Sequence, residues 1–396
     1  MRERSIVIWG AGRIGRGFVA DLFHAASYGI TLVDSSEELI GRLRAAGQYT
    51  VVRAWSPAEY SETVIRGFHT LHCSELPEIE SAIADSGLVA AAVFPAAFAE
   101  VAAGLAPGIQ RRLEQSPEAT LDILVCTNLM HAAVQFRDRL FSALPLEVRK
   151  DAEARVGVID TLVIRTATEP PTDALQRDPL LVWTNGFPEF PVDREPFKGE
   201  PPDVPGIRLV GNMAAEEMRK LYTYNMLHAM LAYLGALRGY TLTIDCMADL
   251  EIRRTAEGAL DEVSRALQAE WGFTPVDMAQ WIALGMTFTD NPLLKDRVAR
   301  HGADPRRKLR REDRLVGPAL LARKHSIPAE CLTNGIAAAL HFDEPGDEGA
   351  AYVQAQIAAL GIGQAVRELC NLTATEEDLA QMIVAAYDRL QRGIIS

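Results

Sequence analysis

The sequence predicts an α/β fold: an N-terminal domain built on a mostly parallel sheet, followed by a mainly α-helical C-terminal domain. In the first half, apolar runs at 5–9, 30–34, 88–93 and 122–126 alternate with helical patterns such as 36–46 and 97–114. That alternation builds a parallel sheet covered on both faces by helices. Between Thr168 and Pro205 the texture changes, because Pro170, Pro171, Pro179, Pro188, Pro191 and four further prolines forbid a long helix. From Ala214 onward the pattern is almost wholly helical, at 214–238, 248–270, 275–285, 315–324, 350–370 and 375–392. A chain of 396 residues exceeds one core. Two domains are expected, 1–204 and 205–396.

Each element has a local cause. The first strand, 5–9, is a run of branched apolar residues that ends at Gly10. The second, 30–34, closes on Asp34, and two β-like stretches at 49–54 and 62–71 read as a hairpin inserted after it. The strand Ile123-Leu124-Val125-Cys126 leads toward Asn128. In the C-terminal half, Thr375 with Asp378 reads as a capping box for the last helix. No internal repeat or low-complexity tract interrupts the pattern.

The turn after the first strand reads Gly10-Ala11-Gly12-Arg13-Ile14-Gly15. A strand, G-x-G-x-x-G opening a helix, and an acidic residue about 20 positions on form the dinucleotide-binding fingerprint of a Rossmann-type domain. Gly10 permits the tight turn, Gly12 lets the backbone approach a pyrophosphate, and Gly15 lets the helix pack on the strand. The pyrophosphate would sit on the N–H groups of the helix N-terminus, where Arg13 and Ile14 are further candidate contacts. Asp34 would accept the adenosine ribose hydroxyls and repel a 2′-phosphate. The cofactor expected is NAD; Arg13 and Arg16, placed near the phosphates, leave tolerance of NADP open.

Composition narrows the class. A 48% hydrophobic and 23% charged chain is that of a soluble globular protein. Its net charge of −13 argues against nucleic-acid and anionic-membrane partners, which need a basic face. Cys73, Cys126, Cys246, Cys331 and Cys370 are scattered, so they read as reduced thiols of a cytoplasmic protein and not as a zinc site. No signal peptide is recognised at the start, and no apolar run is long enough to span a bilayer.

Chemistry is expected from the second domain. On a helix through 214–238, Lys220, Asn225 and His228 fall within an arc of roughly 140° at about 100° per residue. The flanking residues are apolar enough to bury that face. A buried lysine is costly and needs a reason. A desolvated lysine can act as general base toward an alcohol while amides hold the developing alkoxide. The plainer alternative is a snorkelling lysine beside a satisfied core histidine, which leaves the triple spacing without a cause.

The run Lys220, four residues, Asn225, two residues, His228 resembles the polyol-specific long-chain dehydrogenases, most closely their mannitol-1-phosphate 5-dehydrogenase branch. Gly10 to Phe18, Phe197-Lys198-Gly199, Asn291 to Asp296, Arg307-Lys308-Leu309 and Gly335 to Phe342 resemble the family in the same order. The resemblance implies a metal-independent oxidation in which Lys220 is the general base. Asn225 and Asn128 polarise the reacting oxygen, and His228 binds a substrate hydroxyl. Arg300 and Lys308 reach the substrate from the second domain. It also implies an enzyme working as a monomer on a small polyol or sugar phosphate.

Two positions depart from the family pattern. Ile164, in the stretch Leu162 to Arg165 aligned with a family strand, stands where an aspartate touches substrate hydroxyls. Thr127 replaces an acidic residue before the amide, and Asp160 cannot simply take over. The cluster Arg306, Arg307, Lys308, Arg310, Arg311 and Arg314 offers a phosphate clamp, although most of it is expected to pair with neighbouring carboxylates. The substrate expected is mannitol 1-phosphate, giving fructose 6-phosphate. A free polyol, a sugar acid, or a non-catalytic dinucleotide-binding role remain alternatives.

Overall fold

The computed structural model describes residues 4–56 and 59–395. It divides into two compact units between Glu217 and Met218, inside the helix Met213–Lys220. The boundary expected at 204/205 lies earlier.

Among the described residues the first unit contains twelve strands. These are β1 Ser5–Trp9, β2 Gly29–Asp34, β3 Gln48–Ser56, β4 Glu59–Arg66, β5 His69–His72, β6 Leu88–Ala91, β7 Leu121–Val125, β8 Val156–Asp160, β9 Ala167–Thr168, β10 Val182–Thr184, β11 Phe190–Asp193 and β12 Ile207–Val210. Six of them form a parallel sheet in the order β5-β2-β1-β6-β7-β8. Alternate residues face opposite sides of a strand. Val7, Trp9, Val33, Val89, Ile123 and Val125 therefore enter one apolar layer, while Ile6, Ile8, Ile30, Leu32, Ala90 and Leu124 enter the other. Burial on both faces is why these strands read as unbroken apolar runs. Strand order reverses between β1 and β6, the position where open α/β sheets bind ligands beyond their carboxyl ends.

Several elements depart from the expectation. The stretch 62–71 is two strands: β4 pairs antiparallel with β3, whereas β5 crosses to the main sheet beside β2. β8 lacked a strong apolar run and was not anticipated, and Leu162–Arg165 beyond it is not a strand. Its residues are buried all the same, and Leu162 N–H bonds the Pro191 carbonyl at 2.9 Å next to the isolated antiparallel bridge Thr161–Val192. β12 pairs with β11 in parallel, which keeps 207–210 with the first unit and explains a boundary later than the proline-rich stretch.

The second unit is helical and is built around Met226–Leu237. That helix is apolar on nearly all sides and therefore central. Leu250–Trp271, Glu330–Leu340 and Val298–Gly302 pack on it, and Glu377–Gln391 packs on Glu330–Leu340. Asp249 caps Leu250–Trp271 by accepting from the N–H groups of Glu251 and Ile252. The single helix expected at 350–370 is two, Glu348–Leu360 and Ile362–Leu369, broken at Gly361 with φ +73°. The capping box is Thr373 with Glu376, two residues before the expected pair, because a 3₁₀ turn at Ala374–Glu376 precedes the last helix. Asp378 instead pairs with Arg323.

Candidate active site

In the first unit the glycine loop leaves β1 with Gly10 at φ +100°. Gly10 N–H donates to the Val33 carbonyl at 2.8 Å. A Cβ at Gly10 would lie 2.3 Å from the Ala92 carbonyl oxygen, and one at Gly15 would lie 1.9 Å from the Gly10 oxygen. Both glycines are thus demanded by the protein's own packing. Gly12 differs: a Cβ there would meet nothing within 4 Å. Its glycine is not explained by protein atoms, and the open cradle fits a cofactor pyrophosphate approaching the backbone.

Asp34, at the end of β2, closes the loop. Its carboxylate accepts Ala11 N–H at 2.7 Å on Oδ2 and Ser36 N–H at 2.9 Å on Oδ1. Each oxygen keeps a second lone pair for a ribose hydroxyl. Arg13 is exposed and Ile14 half-buried in the first turn. Arg16 corrects the expectation that it lies near the phosphates. It is buried, with Nε donating to Ala11 O at 2.7 Å and Nη1 to Leu180 O at 2.6 Å, and its guanidinium lies over Tyr49. It braces the loop from behind.

Beyond the other strands the loops carry the remaining first-unit candidates. Asn128 is exposed in the turn after β7, with Thr127 half-buried before it. Asp160, ending β8, accepts Ala133 N–H at 2.7 Å, and burial pushes its carboxyl up from the ordinary value. It anchors the start of the helix Ala132–Ala143, and Ile164, where the resemblance expects a carboxylate, is buried. Arg165 is committed to Asp21, donating to Oδ2 at 2.6 Å. Arg53 holds the same carboxylate.

The catalytic candidates of the second unit share one continuous helix, which is not α-helical throughout. Between Met213–Lys220 and Met226–Leu237 lies a π turn, Leu221–Asn225, in which Met226 N–H reaches the Leu221 carbonyl. The arc inferred for an unbroken α-helix therefore does not apply across it. Such turns are rare and concentrate at functional sites. Its side chains lock onto the helix Pro275–Thr289. Tyr224 stacks on Trp281 with centroids 4.4 Å apart, and its hydroxyl donates to Trp281 O at 2.6 Å. Trp281 Nε1 donates to Thr223 Oγ1 at 2.8 Å, and Thr223 in turn donates to Arg219 O at 2.6 Å. Gly285 is required here, since its Cβ would strike the Tyr224 ring. Lys220, just before the π turn, is 8% exposed. Asn225 and His228 are half-buried.

His228 lies in a cluster that sequence reasoning saw only in part. Its ring is 4.6 Å from the His301 ring, and Nε2 is 3.4 Å from Thr289 Oγ1. Burial first, then the neighbouring His301, push its pKa well below the ordinary value, so the imidazole is neutral near neutral pH. His301 Nε2 is 3.5 Å from Asp296 Oδ2, and Arg300 Nη1 donates to Asp296 Oδ1 at 2.6 Å. Thr289 and His301 carried no signal in the sequence, because a threonine in a helix and a lone histidine are ordinary.

The basic segment is mostly paired. Arg307 bridges Asp304 and Asp313, Arg314 pairs with Asp313, Arg311 grips Glu376, and Arg306 lies over Tyr352 at 3.8 Å. Lys308 is 4% exposed, and its Nζ donates to the His301 carbonyl at 2.7 Å and to that of Ala303. Burial pushes its pKa down to about 7. Two of its three donors thus serve the fold.

Among the described residues, no helix is long and apolar enough to cross a membrane, and no group of three or more His, Cys, Asp or Glu could hold a metal ion. Residues 4–206 match the family model described as the mannitol dehydrogenase Rossmann domain, and residues 212–391 match that of the mannitol dehydrogenase C-terminal domain. A D-sorbitol dehydrogenase crystal structure in substrate-free form superposes with a TM-score of 0.85 at 17% identity, covering 99% of this chain and 94% of that one. The Pseudomonas fluorescens mannitol 2-dehydrogenase, in a ternary complex with NAD and D-mannitol, gives a TM-score of 0.73 at 16% identity, with coverages of 99% and 93%.

Proposed function

Because this chain belongs to the mannitol dehydrogenase family, with both of its domains in order, we propose that it oxidises a secondary hydroxyl of a polyol phosphate, with mannitol 1-phosphate and fructose 6-phosphate as the substrate pair. NAD, held by Gly10, Gly12, Gly15 and Asp34, supplies the acceptor for the hydride. The observation that carries the mechanism is Lys220, nearly buried at the start of a π turn on the helix that also bears Asn225 and His228.

In this reading Lys220 Nζ takes the hydroxyl proton as the carbinol hydrogen leaves with its electron pair. The Asn225 and Asn128 amides donate to the oxygen while it carries negative charge, so no metal is needed to polarise it. His228, neutral, accepts a hydrogen bond from an adjacent substrate hydroxyl. Arg300 contributes positive charge toward the substrate, and Lys308, whose ammonium is held by two carbonyls, offers its third N–H. In the reverse direction Lys220 returns the proton to the new alcohol.

A free polyol is the second reading, favoured by the pairing of Arg300, Arg307, Arg311 and Arg314 with carboxylates. It also accords with the free polyols named for the two solved structures. An NADH-oxidation screen over fructose 6-phosphate, fructose, other ketoses and keto acids separates them. Turnover of fructose 6-phosphate well above fructose supports the phosphate reading. The reverse order selects the free polyol, and activity confined to keto acids removes both.

A further inference from the structure

The hydrogen-bond arithmetic around His228 points to the ring nitrogen that carries the proton. Thr289 has one hydroxyl hydrogen, and it points along the helix to the Gly285 carbonyl, four residues back, at 2.9 Å. Toward His228 the same oxygen has only lone pairs to offer. The 3.4 Å contact between Thr289 Oγ1 and His228 Nε2 is therefore made by an Nε2–H donor. A neutral imidazole has one N–H, so Nδ1 is left as an acceptor. Nδ1 meets no hydrogen-bond partner among the described residues, and the ring is neutral because burial, His301 and the nearby Arg300 and Arg314 all oppose its charge, outweighing Asp296.

We propose that Thr289 is a positioning residue: by accepting from His228 Nε2–H, it fixes the tautomer in which Nδ1 presents a lone pair to a hydroxyl of the substrate. The inference rests on the reading of His228 as a substrate-hydroxyl ligand and adds what sets its chemistry. A polyol hydroxyl must then donate to the enzyme at this point. A substrate bearing a carbonyl or an ether oxygen at that carbon has no hydrogen to give and is discriminated against. Thr289 is 9% exposed and begins no element of its own, so its place at the last turn of Pro275–Thr289 is what aims the oxygen. The π turn locks that helix through Tyr224 and Trp281, on the same helix pair that carries the Thr289 to His228 contact.

The test uses the full-length protein labelled with ¹⁵N-histidine, with the His228 signals identified by their loss in His228→Gln. The nitrogen chemical shifts near neutral pH report the tautomer without any turnover, and polyol KM and kcat are measured alongside. The wild type is expected to show the neutral Nε2–H form at His228. Thr289→Val removes the acceptor, should mix the tautomers, and should raise the polyol KM roughly tenfold, the worth of one ordinary hydrogen bond. Its effect on kcat should be smaller, with NADH affinity unchanged, and Thr289→Ser should restore both tautomer and KM. An Nδ1–H form or an imidazolium in the wild type overturns the proposal while leaving His228 as a ligand. An Nε2–H form with KM unmoved in both Thr289→Val and His228→Gln overturns it from the other side, by removing the substrate role of His228.

Discussion

Replacing Gly10 and Gly12 separately by alanine should produce opposite defects. At Gly10 the new Cβ would lie 2.3 Å from the Ala92 carbonyl oxygen on a backbone at φ +100°. The left-handed conformation costs an L-residue roughly 1–2 kcal/mol. Forcing an atom into packed surroundings adds about 1–3 kcal/mol. Gly10→Ala is thus expected to destabilise the first unit by about 2–5 kcal/mol. At Gly12 nothing lies within 4 Å and φ is outside the left-handed region, so alanine should be neutral or stabilise by about 0.4–1 kcal/mol through the unfolded chain. Its methyl group occupies the cradle, however. Losing one backbone hydrogen bond to a charged pyrophosphate costs about 1.5–3 kcal/mol, or about 10- to 150-fold in NADH affinity. Urea unfolding with NADH titration by fluorescence checks both arms. Gly12→Ala binding NADH as tightly as wild type, or Gly10→Ala matching wild-type stability, would refute this division of roles.

Asp21→Ala leaves the buried Arg165 without its carboxylate and removes the same partner from Arg53, and breaking such a pair should cost about 3–5 kcal/mol in urea unfolding; a loss below about 1 kcal/mol would show that the triad contributes little. Lys308, held near 7 in the fold against 10.5 unfolded, makes the unfolded chain bind more protons between those values. Stability should therefore rise with pH across that window, by up to about 1.4 kcal/mol per unit, and be lost as pH falls toward the folded value. In Lys308→Met that part of the slope should vanish; an unchanged slope would show that the ammonium is not depressed. Asp34→Ala should narrow the preference for NADH over NADPH in parallel titrations, and an unchanged ratio would remove Asp34 from the ribose site.

The cofactor half of the site was legible in the sequence because its constraints are local. Gly10, Gly15 and Asp34 lie within one βαβ unit, where turn geometry and strand spacing leave few alternatives. The buried lysine was legible as an anomaly, a charge set in an apolar helix. What escaped depends on contacts distant in sequence. The π turn at Leu221–Asn225 is held by Trp281 and Tyr224, a pairing that leaves no period in either segment. β5 and β8 lie at the sheet's edges and are short or weakly apolar, so their identity comes from pairing with β2 and β7. Arg16 shows the limit most plainly: beside a glycine loop an arginine suggests phosphate, yet its guanidinium turns inward to Ala11 O and Leu180 O. The missing carboxylate at Ile164 was visible in sequence. Its consequence for substrate was not, since that depends on which side chains distant strands and loops bring beside Ile164.

The most direct test of the proposed chemistry is Lys220→Ala, assayed for ketose or ketose-phosphate reduction and for NADH binding on one preparation. The account predicts near-complete loss of turnover with NADH affinity retained, because Gly10, Gly12 and Asp34 hold the cofactor without the lysine. Substantial residual turnover in the mutant would contradict the assignment of Lys220 as the general base.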